Sequence, residues 1–235
     1  MRGRYAMNIK REHFDCLDST QNYAKEKRSD GRNLIVTATR QEGGRGTKGR
    51  NFVSEEGGVY LSKLSFYEEY PTKNAFRIMC GAAVSVCNVL RFYGLNPCIK
   101  WPNDVLVDDQ KICGILIENI FSGQKIASSV VGIGLNVHNA LPDELKSIAT
   151  TMYEQTGKRF SVEEVTQRLI AELDVAHSMD EYRKFIGYMG REVTLILGDE
   201  HVHGTLVSID DEGGLLVEIN GKTRRLTAAE VSIRI

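Results

Sequence analysis

The chain has 235 residues, 42% of them hydrophobic and 26% charged, with a formal net charge of −1. That is ordinary globular composition, sized for one main domain with a small appendage. The balanced charge argues against a nucleic-acid partner, and no run reaches the roughly 20 consecutive apolar residues of a membrane span.

The start, Met1-Arg2-Gly3-Arg4, is basic, but no apolar stretch follows it as a secretory signal requires. Residues 33–39, NLIVTAT, read as a buried strand, and a glycine- and charge-rich segment follows over residues 41–50. Gly57-Gly58 opens a second strand over residues 59–66. Between residues 72 and 93, Phe76, Met79, Ala83, Val86 and Leu90 recur at spacings of three and four, which predicts an amphipathic helix stopped at Gly94. Short strands come next: CIKW, then VLVDD joined to QKICGILIENI by a turn at Asp108-Asp109-Gln110, then KIASSVVGIGLNV. Ser161 and Glu164 have the spacing of a capping box ahead of Val165, Leu169 and Leu173, with helical sequence continuing to about Ile186. From Gly190 the pattern changes to short alternating strands separated by Asp211-Glu212-Gly213-Gly214 and by Asn220-Gly221, a hairpin signal. This tail reads as a small all-β barrel.

The five cysteines, Cys16, Cys80, Cys87, Cys98 and Cys113, are odd in number and form no C-x-x-C pair. Reduced thiols in a cytosolic protein account for them more simply than disulfides or zinc.

Three segments carry candidate chemistry. Residues 44–50, GRGTKGR, contain a literal G-x-G-x-x-G after a strand. A dinucleotide fold needs a helix to begin inside that loop, and here the sequence runs on into another strand. No Gly-Lys-Ser/Thr closes the segment, so it is not a P-loop either. It is a loop with cations suited to phosphate, Arg45, Lys48 and Arg50, or else a solvated surface loop. Lys100-Trp101-Pro102-Asn103-Asp104 holds the only tryptophan, beside a turn-forming Pro-Asn-Asp. Lys111 precedes an apolar strand and serves either a buried anion or a solvated strand edge. In Gly132-Ile133-Gly134-Leu135-Asn136 the glycines fit a ligand approach or a β-bulge.

The order of these segments, DSTQ at residues 18–21, Gln41 followed by GGRGTKGR, KWPNDV, KICGILIE and GIGLNV, resembles the ordered motifs of the biotin protein ligase family. The tail from Ile186 is similar to that family's C-terminal domain. The resemblance implies an α+β fold: a mixed β-sheet with flanking helices, of the class II synthetase-like type, over residues 1–186, then a small SH3-like β-barrel over residues 187–235. It implies that biotin and ATP with Mg2+ give biotinyl-5′-AMP, from which a lysine of a biotin carboxyl carrier protein takes the biotinyl group. Because DSTQ begins within twenty residues of the start, the expected form is a monofunctional cytoplasmic ligase without a DNA-binding domain. A homodimer through an exposed strand at residues 59–66 is compatible with the family; an internal strand reads the same way.

Carried over residue by residue, the catalytic roles fall to Lys111, Arg45 and Asp104. Ser19, Thr20, Gln21, Gln41, Gly44, Arg45, Gly46, Thr47, Lys111 and Gly114 are the implied biotin contacts. Arg45, Thr47, Lys48, Arg50, Phe52, Lys100, Asn103, Asp104, Gly134 and Asn136 are the implied nucleotide contacts, with Asn103 and Asp104 beside the phosphates and metal, whose ligands the resemblance leaves unassigned. Two positions depart from the family pattern: Thr47 stands where many members have arginine, and Phe52 where many have tryptophan. A lipoate or octanoate ligase, which shares the fold, and a non-catalytic biotin or nucleotide sensor are the competing readings.

Overall fold

Apolar residues alternate with small or polar ones along most of the central strands, and the structure turns that period into a sheet with two different faces. The computed structural model describes residues 9–198, 200–228 and 232–234, without the side chains of Lys48 and residues 232–234. In chain order the elements are β1 (Lys10–Leu17), α1 (Thr20–Glu26), β2 (Leu34–Gln41), β3 (Gly58–Phe66), α2 (Ala75–Phe92), β4 (Cys98–Lys100), β5 (Asp104–Val107), β6 (Gln110–Ser122) and β7 (Lys125–Asn136). They are followed by α3 (Met152–Thr156), α4 (Val162–Glu172), α5 (Met179–Lys184), β8 (Glu192–Leu197), β9 (Glu200–Ile209), β10 (Leu215–Ile219), β11 (Lys222–Leu226) and β12 (Ser232–Arg234).

The first seven strands form one mixed sheet in the order β1-β2-β3-β7-β6-β5-β4. Only β1 and β2 run parallel, and α1 makes the crossover that a parallel pair needs. Val59 and Leu61 of β3, Cys113 and Ile115 of β6, and Val131, Ile133 and Leu135 of β7 belong to the main core with α2, α4 and α5. On the other face, α1 covers only part of the sheet, packing Ala24 against Leu34, Val36, Leu64 and Val130. Further along that face β7 carries Gly132 and Gly134, paired across the strands with Leu116 and Gly114 of β6 and with Ser62 and Tyr60 of β3. Missing side chains in adjacent rows leave a trough there.

The last five strands form an antiparallel sheet in the order β11-β10-β9-β8-β12, the all-β tail the sequence predicts. Asn220 and Gly221 both adopt positive φ, 52° and 71°, as a tight hairpin turn requires. Asp108 and Asp109 do the same between β5 and β6, at 48° and 61°. The 210–214 turn docks on the first sheet: the Trp101 indole N–H donates to the Gly213 carbonyl at 3.0 Å. A Cβ on Gly213 would fall 2.1 Å from the Phe76 ring. Arg183 adds hydrogen bonds to the Ile209 carbonyl and the Asp211 carboxylate.

Several expectations need correction. β3 is paired on both sides, by β2 and β7, so residues 59–66 offer no free edge to a second copy. The helix expected to run to Ile186 is two helices, because Ser178 and Glu181 form a capping box that starts α5 afresh. At Ser161 only half of the expected box is present: its hydroxyl accepts from the Glu164 N–H without a reciprocal bond. Thr72–Phe92, which contains α2, is long and apolar enough to cross a membrane by length and composition. Its residues Cys80, Ala83, Val86, Cys87 and Leu90 are fully buried in the main core, as in the core helix of a globular domain.

Candidate functional site

The trough floored by Gly114, Gly132 and Gly134 becomes a narrow, partly open pocket. Its roof is the glycine loop, which folds as a hairpin. Phe52 N–H donates to the Gly44 carbonyl at 2.8 Å, Gly46 N–H to the Arg50 carbonyl at 2.7 Å, and Gln41 N–H to the Ser54 carbonyl at 3.0 Å. No helix begins inside this loop beyond a three-residue 3₁₀ turn at Thr47–Gly49, which agrees with setting aside the dinucleotide reading. Gly44 must be glycine, since a Cβ there would lie 2.2 Å from the Phe52 carbonyl oxygen. The Phe52 ring lies over the floor: a Cβ on Gly134 would come within 2.4 Å of it, and one on Gly114 within 3.2 Å.

One end of the pocket is a buried polar network built by the DSTQ segment. Ser19 caps α1, its hydroxyl accepting from Asn22 N–H at 3.4 Å. That start turns Thr20 and Gln21 into the sheet, where both are almost fully buried. Gln41 Oε1 accepts from the Thr20 backbone N–H at 2.8 Å and from its hydroxyl at 3.0 Å. Gln41 Nε2 donates to Ser54 Oγ at 2.8 Å. Behind the wall, Gln21 Nε2 donates to Glu118 at 2.8 Å. Burial alone would raise the Glu118 carboxyl, but hydrogen bonds from Gln21 and Lys25 and the nearby charges of Lys25 and Arg28 hold it below the usual carboxylate range.

The other end opens into a wider cleft. Gly46, Thr47, Phe52 and Lys111 line both spaces, and Lys111 is the one cation among the four. Its backbone is clamped on both sides, N–H to the Ile148 carbonyl and carbonyl to the Thr150 N–H, each at 2.9 Å. Its ammonium pairs with Asp104 at 2.7 Å. Asp104 and Asn103 come from the turn after Trp101, which three contacts hold rigid: Trp101 N–H to Tyr188 Oη at 2.6 Å, Tyr182 Oη to the Pro102 carbonyl at 2.8 Å, and the indole to Gly213. The indole is thus packed as the plainest reading of the sequence has it, but it packs to brace this turn. Asn103 Nδ2 donates to the Ile115 carbonyl at 3.0 Å.

Of the residues singled out in the sequence, Ser19, Thr20, Gln21, Gln41, Arg45, Gly46, Thr47, Phe52, Asn103, Lys111, Gly114 and Gly134 line the first pocket. Arg50, Lys100, Asp104 and Asn136 line the cleft. Gly44 lies behind the roof and lines neither. The Lys48 side chain lies outside the described residues. Asn136 is buried and donates to the Thr150 carbonyl at 3.1 Å, tying the end of β7 to the chain ahead of α3. Sequence reasoning passed over Ser62 and Leu116 of the pocket and Leu141, Leu145, Ile148 and Arg191 of the cleft, whereas Gly132, flagged for a ligand approach or a bulge, lines the pocket. Ser62 left a trace as a polar residue within the apolar run VYLSKLSF; the cleft residues come from a distant loop and from the second sheet.

Among the described residues no group of three or more His, Cys, Asp or Glu is gathered as a metal cluster. Burial pushes the Cys80 thiol up to about 11, and raises Cys87 and Cys113 as well. These thiols are core residues, not nucleophiles. The site thus offers a narrow pocket with a buried hydrogen-bonding end, a wide cleft lined by Lys100, Arg50 and Lys111, and a bridging lysine where the two meet.

Residues 13–136 match the model of the Biotin/lipoate A/B protein ligase family, and residues 188–234 match the biotin protein ligase C terminal domain. The bifunctional ligase/repressor BirA of Bacillus subtilis is similar at 31% identity over 241 residues, covering 94% of this chain and 73% of that protein. The biotin–[acetyl-CoA-carboxylase] ligase of Paracoccus denitrificans is 29% identical, over 83% of this chain and 88% of its own length. Among solved structures, the biotin protein ligase from Aquifex aeolicus in complex with biotin and ATP superposes with a TM-score of 0.77 at 30% identity, covering 96% of this chain and 98% of that one.

Proposed function

The chain belongs to the biotin protein ligase family, and from that premise we infer how its two spaces divide the reaction. It is an ATP-dependent biotin–protein ligase. The narrow pocket takes the biotin ring system, its polar end meeting the ureido group. The wide cleft takes ATP and then the acceptor. The single observation that carries this division is Lys111, the cation shared by both spaces.

In the first step the biotin carboxylate attacks the α-phosphorus of ATP, an acyl–phosphate bond forms and pyrophosphate leaves. Two anions must approach each other, so cations at the meeting point lower the barrier. Lys111 neutralises carboxylate and phosphate oxygens together, with Arg45 above them. Arg50, Lys100 and Asn136 contribute to the nucleotide side; Asn103 and Gly134, expected there as well, line the narrow pocket instead. In the second step a lysine amine of the acceptor attacks the acyl carbon and AMP leaves. That amine must lose its proton, and Asp104 faces the cleft from which it arrives. Arrival of the ligand's anions draws Lys111 away and frees the Asp104 carboxylate. Phe52 packs over the glycine floor, and the hairpin roof excludes water that would hydrolyse the adenylate.

Magnesium fits as an ion held mainly by phosphate oxygens and water, since Asp104 and Asp109 line the cleft without forming a closed cage. It would neutralise charge on the phosphates. The acceptor is a biotin carboxyl carrier protein, and the ligase is cytoplasmic. The domain boundary falls at 186/187, and self-association uses a surface other than β3, such as the terminal strand β1 of the large sheet; the edge of β4 is taken by the Phe185 carbonyl.

Thr47 is weak where many members carry a cation. Its hydroxyl and carbonyl accept from Arg50 at 3.4 Å, which holds Arg50 in the roof as the substitute charge. Thr47→Arg adds a charge-assisted hydrogen bond to the adenylate, and escape of preformed biotinyl-5′-AMP is expected to slow about tenfold. An unchanged escape rate in a stopped-flow release assay would contradict this account of Thr47. The activity itself is tested by incubating the chain with biotin, MgATP and an apo carrier domain. One biotinyl group on one lysine is expected by mass spectrometry; none on a folded acceptor would refute the assignment.

A further inference from the structure

The polar end of the narrow pocket has fewer protons than oxygen–oxygen contacts. Thr20 Oγ1 lies 3.0 Å from Gln41 Oε1 and 2.9 Å from Ser62 Oγ, and Ser62 Oγ lies 3.2 Å from Gln21 Oε1. Three contacts share two hydroxyl protons, so one oxygen pair is always left without a proton. The Gln21 carboxamide does not relieve the shortage. Its nitrogen faces away from the pocket, donating to Glu118 Oε2 at 2.8 Å and to the Val130 carbonyl at 3.3 Å. Its oxygen faces Ser62, over Gly132, where a Cβ would approach it to 2.5 Å.

Turning that carboxamide over would supply protons to Ser62 but would press an amide oxygen against the Glu118 carboxylate. An acceptor facing an ionised acceptor is unfavourable. Glu118 is held in the charged form by Gln21, Lys25 and Arg28. Its second oxygen is occupied by Lys25 at 3.0 Å, and it lines neither space.

We propose that Glu118 is a positioning residue that locks the Gln21 carboxamide with its oxygen toward the pocket, leaving the wall one donor short and so selective for a ligand that brings ring N–H groups. This rests on the ligase reading and deepens it. A cyclic urea supplies such protons; a dithiolane ring supplies none, and a ring in which oxygen replaces the N–H that meets this wall supplies none there. Selection against the wrong acid is then built behind the pocket wall as well as in it.

The test is calorimetric binding of biotin and of an analogue with one ureido N–H replaced by oxygen. The wild-type chain prefers biotin. In Glu118→Gln, and in Glu118→Leu, only the longer bond to the Val130 carbonyl still favours the observed orientation, Gln21 turns over more readily, and the preference is expected to narrow about tenfold. Lys25→Gln removes the ion pair but leaves the Glu118–Gln21 contact, and is expected to keep the wild-type preference. Wild-type preference in both Glu118 variants, or equal narrowing in Lys25→Gln, overturns the proposal. A wild-type chain that bound neither ligand would overturn the ligase reading itself, and this inference with it.

Discussion

Lys111→Ala is expected to lower biotin-dependent pyrophosphate exchange into ATP by about 10²–10³, the range found for removal of a single electrostatic stabiliser. The lysine is placed with little freedom. Its backbone is bonded on both sides to the 148–150 segment, and Gly114, three residues on, leaves its side chain room to turn, since a Cβ there would lie 3.1 Å from the ammonium. It spans the mouth of the narrow pocket and the wall of the wide cleft, where carboxylate and α-phosphate must meet. The side chain is 35% exposed and its partner Asp104 24%, so losing the pair costs little folding stability. A melting temperature close to wild type alongside the lost rate would locate the effect in the chemistry. Exchange at the wild-type rate would remove Lys111 from the mechanism.

Asp104→Asn is expected to slow acyl transfer from preformed biotinyl-5′-AMP by about 10²-fold or more, as loss of a general base does. A free lysine amine has a pKa of about 10.4 and is almost wholly protonated at neutral pH. Asp104 opens β5, faces the wide cleft and meets the Lys111 ammonium and the Asn103 side-chain amide. The asparagine is nearly isosteric and keeps the turn, which Trp101, Tyr182 and Tyr188 brace independently of it. Pyrophosphate exchange should therefore suffer less than transfer. Single-turnover transfer to a carrier domain separates the two, and a variant that transferred at the wild-type rate would leave the acceptor's deprotonation to another group.

The central strands, the long helix and the all-β tail were legible because their signals are local. A period of two, a period of three to four, and Asn-Gly or Asp-Asp turns need no knowledge of neighbours. β1 was missed because KREHFDCL is a mostly exposed edge strand whose charges hide its alternation. α1 was missed because seven residues carry too little periodicity, although Ser19 ahead of it is a capping residue. The break between α4 and α5 was missed because helical propensity on both sides is good, and only the second capping box marks the restart.

In the site, the motifs pointed to most of the pocket's lining, since the DSTQ, glycine-loop, KWPND and KICGILIE segments each contribute one wall. What stayed hidden depends on sheet register. Ser62 and Leu116 come to flank Gly132 only when β3, β7 and β6 pair as they do. Glu118 reads as a surface charge until α1 folds over it and delivers Gln21. Arg191 enters the cleft only because the second sheet docks on the Trp101 turn. Gly44 shows the converse: a residue expected in the pocket holds the roof's backbone together from behind.

The most direct test of the central claim is exchange of labelled pyrophosphate into ATP by the wild-type chain, with biotin and with lipoate as alternative acids. The donor-short pocket joined to a cationic cleft predicts exchange that depends on biotin and is near background with lipoate. Exchange driven by lipoate, or none with either acid in a folded chain, would contradict it.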